Sequence, residues 1–245
     1  DQAVENGEVV NEQKYQESLE LFNETLDVYY NISEKVKEVA PEEYKEGNLA
    51  METARYYLEI KEDPLKVKTL VRVFKGEAVE IVYMSEHGGE EPPEEKAEMV
   101  GDINYEKAES VITQSQEKLS DSITLYKAAM ENGNVVNETK YQESISLMEG
   151  AIKVLEDNQQ YIKATEKSEA EYDEAISVLY TGKYFMEIKK PSSELDDIEK
   201  LFSEEETPEI LNHLKKSAQS TEGESSKEQP QEGINLGYAL AIISG

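Results

Sequence analysis

Cysteine is missing from all 245 residues. Its absence excludes disulfides, thiolate metal sites, haem attached through Cys-x-x-Cys-His and cysteine nucleophiles. Turn formers are scarce, with 13 glycines and 7 prolines, too few for a many-stranded β fold. Only two histidines occur, His87 and His213, and their separation argues against a shared imidazole site unless the fold joins them. No glycine-rich phosphate loop is present, Gly88-Gly89 reading as a flexible linker, and no Ser-His-Asp order stands out. Nothing in these residues argues for an enzyme.

Basic residues are also few. There are 25 against 54 acids, a formal net charge of −29. Such a surface repels phosphate backbones and anionic lipid, which argues against nucleic acid as a partner and against membrane-surface binding. It gathers cations, and it equally serves solubility or a saline habitat. Long apolar runs are absent except for Gly233–Gly245, GINLGYALAIISG. That run is shorter than the roughly 20 residues that cross a bilayer. It reads either as the first turns of a membrane helix, and so as a tether, or as an element packed on the rest.

What the chain does have is a repeated string. AVENGEVVNEQKYQES, Ala3–Ser18, returns as AMENGNVVNETKYQES from Ala129, with 13 of 16 positions identical. Around the second copy, Ala108, Ile112, Ser115, Leu119, Ile123, Tyr126 and Met130 form one helical stripe. Tyr141, Ile145, Met148, Ile152, Leu155 and Ile162 form the next, matched by Tyr15, Leu19, Phe22, Leu26, Tyr29 and Val36 in the first copy. The string therefore reads as the corner between two helices. The first helix is expected to close at Asn132-Gly133, Val135 and Val136 to fold back, and Asn137 to cap the second.

The repeat continues at an offset of 128, Glu43-Tyr-Lys-Glu46 returning as Glu171-Tyr-Asp-Glu174 and Arg55–Lys61 as Lys183–Lys189. Val67–Met84 alone resembles a β-hairpin, but its partner Leu195–Asn212 reads as helix, so helix is predicted for both. The expected fold is all-α, a tandem repeat of two up-and-down helical bundle units. Unit one covers 1–86, with its first helix expected upstream of Asp1. A linker follows at 87–102, unit two at 103–216, and a flexible tether at 217–232 leads into the apolar segment 233–245.

Carboxylates and phenols are the remaining candidates for chemistry. Glu-x-x-Glu places two acids one helical turn apart, a spacing that suits a hard cation such as Fe(III) or Ca(II), and tyrosinate also suits Fe(III). The motifs present in both halves single out Tyr15, Glu17, Glu43, Glu46, Tyr141, Glu143, Glu171 and Glu174. In straight antiparallel helices the Tyr-x-Glu and Glu-Tyr-x-Glu sets lie about 35–40 Å apart, at separate places. In so acidic a chain, most such pairs are solvated faces.

Ala3-Val-Glu-Asn-Gly-Glu-Val-Val-Asn-Glu-Gln-Lys-Tyr-Gln-Glu17 resembles a stretch in the extracytoplasmic helical region of some prokaryotic iron permease-family proteins. There, Ala-Val-x-x-Gly-x-Val-x-x-x-x-x-Tyr-x-Glu precedes the membrane domain. The likeness covers some fifteen residues per copy. It implies an extracytoplasmic, membrane-anchored domain that collects metal cations. Those permeases carry Arg-Glu-Gly-x-Glu in their first membrane helix, whereas Gln231-Glu-Gly-Ile-Asn235 here lacks the Arg and the second Glu, so iron translocation is not carried over. The rival reading is a structural or protein-interaction module of a cell envelope, with no ligand.

Overall fold

Helices account for nearly all of the computed structural model, which describes residues 3–5, 8–90 and 103–225. The fold is all-α. Three helices come first: α1 (Glu12–Val39), α2 (Pro41–Glu59) and α3 (Pro64–Glu86). Then follow α4 (Tyr105–Ala129), α5 (Glu138–Asp157), a 3-10 turn (Gln159–Tyr161) and α6 (Glu166–Glu187). The last helical rod is α7 (Ser192–Lys200), a π-helical stretch (Leu201–Glu206) and α8 (Thr207–Ser225).

The repeated string does form a corner, but not by a glycine-closed helix end. α4 stops at Ala129, and two short strands, β3 (Met130–Glu131) and β4 (Asn134–Val135), pair antiparallel across Asn132-Gly133. Both tip residues have positive φ, 51° and 77°, the geometry of a two-residue hairpin turn that Asn-Gly favours. Val135 turns onto the core as expected, whereas Val136 stays exposed. In the first copy β1 (Val4–Glu5) pairs with β2 (Glu8–Val9) in the same register. Asn11 and Asn137 then cap α1 and α5, each accepting from the backbone N–H three residues on, at 3.1 and 3.0 Å.

Between Val67 and Met84 the chain is helical throughout, within α3. Local β-propensity yields because Leu70, Val73, Ile81 and Met84 fall on one buried stripe. α8 runs on to Ser225, into the stretch expected to be a tether, since extending an existing helix needs no new nucleus. Residues 91–102 of the expected linker 87–102, residues 226–232 of the expected tether 217–232 and the apolar segment 233–245 lie outside the described residues. No helix among the described residues is long and apolar enough to cross a membrane.

One hydrophobic core runs through both halves of the chain. Ala50, Ala54, Tyr57, Leu70 and Val73 belong to the same cluster as Leu119, Ile123, Met148, Leu155 and Leu179. Each fully buried Leu, Ile or Met in it contributes about 1.5–3 kcal/mol. The α4–α5 seam is tight because small side chains face it, the Ser115 and Ser122 hydroxyls donating to the Ala151 and Ser144 carbonyls. α6 lies at the centre, almost wholly buried from Tyr172 to Met186. α2 packs on it through Thr53 and Thr181, whose hydroxyl oxygens are 3.1 Å apart, and through the Tyr57 hydroxyl, which donates to the Tyr180 carbonyl. Tyr56 and Tyr184 meet alongside, ring centroids 4.6 Å apart. Thr53–Thr181 and Tyr56–Tyr184 each join residues 128 apart, the offset of the sequence repeat. That packing sets the first turns of α2 and α6 side by side, and the candidate site lies there.

Candidate metal centre

Glu171 and Glu174, one turn apart on α6, meet Glu206 from the last helical rod. One carboxylate oxygen from each lies within 4.8 Å of the other two. Oxygens on opposite sides of a cation bound at 2.0–2.4 Å stand about 4.0–4.8 Å apart, so the three fit a single ion. Glu46 of α2 joins Glu174 and Glu206 around a cavity of about 20 Å3, walled by Leu49, Val73, Val178, Ile198 and Leu201. Glu77 of α3 stands behind, close enough to Glu46 and Glu174 to feel both charges. On the opposite side the His213 Nε2 lies 3.3 Å from a Glu171 oxygen and 3.9 Å from Glu209.

The π-helical stretch is what aims Glu206 inward. Pro208 has no N–H to give, and its ring would press on the carbonyl four residues back, so the preceding turn widens. The extra residue shifts the register. Leu201 and Phe202 match Val73 and Phe74 at the offset of 128, where Glu77 would correspond to Glu205, but Glu205 is exposed and Glu206 is buried. Glu206 is only 7 % exposed and Glu77 6 %. Ile210 and Ile81 continue the new match, both buried.

Burial with little counter-charge makes these groups keep their protons to higher pH than an exposed glutamate does. Desolvation, reinforced by neighbouring carboxylates, pushes Glu174 up to about 8 and Glu77 and Glu206 up to about 9. Glu46 and Glu171 rise to about 7, where burial outweighs the pull of Lys45 and Lys167 respectively. Among the described residues, no Lys or Arg forms an ion pair with Glu46, Glu77, Glu174 or Glu206. Glu206 makes no ion pair there; its side chain is mostly buried, and its carboxylate also borders an open acidic groove with Glu171, Glu174, Glu204, Glu205 and Glu209.

The eight residues singled out in the sequence divide into two places. Glu46, Glu171 and Glu174 are in the cluster, with Glu43 half-buried at its edge and near enough to Glu77 to raise that group. Tyr15 and Glu17 stand with the far end of α2, the Tyr15 hydroxyl donating to the Leu58 and Glu59 carbonyls. Tyr141 likewise donates to the Met186 carbonyl at the far end of α6. Glu143 and Glu17 are exposed. Burial, with nearby acids, raises both phenols above the usual tyrosine range, which disfavours the phenolate an Fe(III) ligand would need. Glu77 and Glu206 were not singled out. Glu77-x-x-Glu80 returns as Glu206-x-x-Glu209, but at an offset of 129 rather than 128, so a repeat followed at a fixed offset misses it, and Glu204-Glu205-Glu206 does not by itself reveal which acid turns inward.

No protein-family model, no curated protein and no solved structure matches this chain.

Proposed function

We propose that this protein binds a hard metal cation through Glu171, Glu174 and Glu206, as the extracytoplasmic, membrane-tethered helical domain of an iron permease-like protein. The reading includes two repeated helical units, with the site where they join. Its main support is the meeting of three carboxylate oxygens, from Glu171, Glu174 and Glu206, within 4.8 Å of one another. An all-oxygen donor set favours Fe(III), Ca(II), Mn(II) or Mg(II) over softer ions. The iron reading draws on the repeated Ala3–Glu17 string and its resemblance. The net charge of −29 would concentrate cations around the domain before the site captures one.

Isothermal titration of Fe(III)-citrate and of Ca(II) tests the reading against a variant with Glu171, Glu174 and Glu206 all changed to Gln. Saturable binding by the natural chain and its loss in the variant are expected at 0.15 M salt, which screens the diffuse field. Equal weak binding by both proteins would leave the rival reading, an envelope interaction module. That rival has its own support in α1, where Leu21 and Val28 are both 63 % exposed. Carbonate extraction of membranes from cells making the protein tests the tether, retention in the membrane fraction being expected.

A further inference from the structure

The few bases of this acidic chain are not spread evenly. Lys61–Lys75 holds five bases and two acids, in a sequence where acids outnumber bases 54 to 25. Lys66, Lys68 and Arg72 of α3 line, with Lys163, a cleft of about 650 Å3 between α3 and α6. That volume falls within the range of small-molecule sites. We propose that this cleft binds a small organic phosphate, with its phosphoryl head held by Lys68 and Arg72. The inference is independent of the cation-binding reading above.

Four acids also line the cleft, and each is already engaged. Asp63 caps α3, accepting from the Leu65 N–H at 2.9 Å. Glu62 is held by Lys183 at 3.4 Å and by Lys66 at 3.5 Å. Glu156 accepts the Tyr180 hydroxyl at 2.8 Å. Asp173 lies between Arg72 at 2.8 Å and Lys163 at 2.9 Å. The cations, by contrast, have donors to spare. Lys68 is exposed and, among the described residues, makes no ion pair and no side-chain hydrogen bond. Arg72 is close only to Asp173, with Glu169 at 3.8 Å, and a guanidinium carries five N–H groups. Two ammonium groups are also steadied on aromatic rings. Lys163 Nζ stands 4.5 Å from the centroid of Tyr172, and Lys66 Nζ 5.6 Å from that of Tyr180. Cations ordered in advance give up less side-chain freedom when a ligand arrives.

The head group follows from what Arg72 already holds. A ligand carboxylate would repeat the contact that Asp173 makes and would have to displace it. A phosphate monoester brings about two charges and three terminal oxygens, so it can bridge Lys68 and Arg72 while Asp173 stays in place. These two bases are four residues apart on α3 and therefore share a helix face. A nucleic-acid strand does not fit, because the surrounding acidic field repels a run of phosphates. The cleft is much larger than a phosphate, and Leu65, 66 % exposed, supplies apolar surface for an organic body.

The test is titration calorimetry of metal-free chain with glycerol phosphate at 0.15 M salt, which screens the diffuse field. One saturable site per chain is expected, with weaker binding of inorganic phosphate and none of acetate. Lys68→Gln removes no contact within the fold and should weaken glycerol phosphate by about 10-fold or more, the worth of one hydrogen bond to a charged group. Lys68→Arg should restore it. Lys153→Gln loses the same charge from an exposed position on α5 outside the cleft and should bind like the natural chain. So should the variant with Glu171, Glu174 and Glu206 changed to Gln, which separates failure of this inference from failure of the cation-binding reading. Equal binding by the natural chain and Lys68→Gln, or no saturable binding, would overturn the cleft as a phosphate site. Equal affinity for inorganic phosphate would overturn the organic body and make free phosphate the ligand.

Discussion

Asp173 and Glu174 are neighbours on α6, yet the chain treats their charges in opposite ways. Asp173 is met by Arg72 at 2.8 Å and by Lys163 at 2.9 Å. Its burial still raises its pKa slightly against those two cations. Glu174 turns towards Glu46, Glu171 and Glu206, with no basic side chain paired to it among the described residues. Lys183, further along the same helix, is likewise surrounded by Glu62, Glu149 and Glu187. The protein therefore has the means to neutralise buried acids and uses them on one face of α6 only. A permanent cation stabilises a folded site, but it also fills it. The face left to protons is the one from which a metal can displace them.

The largest expected effect separates these two neighbours. Changing Glu174 and Glu206 together to Gln removes two of the three ligands, and cation affinity should fall by more than about 100-fold, beyond what the loss of a mere supporting contact costs. Asp173→Asn should leave cation binding in place and instead cost about 1–2 kcal/mol of stability, because Lys163, mostly buried, keeps only Glu169, at 3.3 Å. Titration calorimetry and urea denaturation of the two variants read both outcomes. If Asp173→Asn abolished binding while the double Gln variant kept it, the division of the two faces would be wrong.

Next in size is a pH effect with opposite signs in the two states. In the folded chain, Glu46, Glu77, Glu171, Glu174 and Glu206 hold protons up to about 7–9, against an ordinary value of 4.5. Between those limits the native state binds more protons than the unfolded one, so stability falls as pH rises. The contribution of these groups is complete below pH 4.5 and is lost as pH climbs through 7 to 9. Without metal, Tm should therefore decline from pH 5 to pH 9. With saturating Mn(II) the decline should shrink or reverse, because ions take the place of protons and binding releases them. Thermal melts in chelator and in metal, across that range, check the sign.

How much of this was legible in the residues differs between the scaffold and the site. Helical stripes at three- and four-residue spacing marked out α4 and α5, since Leu119, Ile123, Met148 and Leu155 obey the period. The Asn132-Gly133 corner was misread because Asn-Gly suits both a helix end and a hairpin tip, and the preceding stripe appeared to run through Met130. Glu46, Glu171 and Glu174 showed themselves through a motif present twice. Glu206 did not, because the widened turn before Pro208 moves it one residue out of the repeat offset. That shift arises from backbone geometry, and hydrophobic spacing within a run of three glutamates does not report it.

Glu77 sharpens the comparison at smaller amplitude. It is buried, beside Glu46 and Glu174, but is not one of the three acids whose oxygens meet. Glu77→Gln should remove the cost of keeping a buried acid protonated at pH 8 and raise the stability of the metal-free chain by about 1 kcal/mol or more. The same change should weaken Mn(II) binding only modestly. Loss of Mn(II) binding would make Glu77 a ligand and redraw the site.

The smallest effect should come from His213. By the shifted register it stands where the first half of the chain has Met84, so the first half offers no imidazole at the matching place. Its Nε2 is 3.3 Å from Glu171, close enough to hold that carboxylate in place. Supports of this kind are worth about 10-fold or more in metal affinity when lost. The same Nε2 also lies 3.9 Å from Glu209, so its hold on Glu171 is divided. His213→Gln is therefore expected to weaken Mn(II) binding by no more than about 10-fold. Mn(II) titration of the variant reads the change. A loss as large as that of Glu171→Gln would make His213 a ligand rather than a support for Glu171.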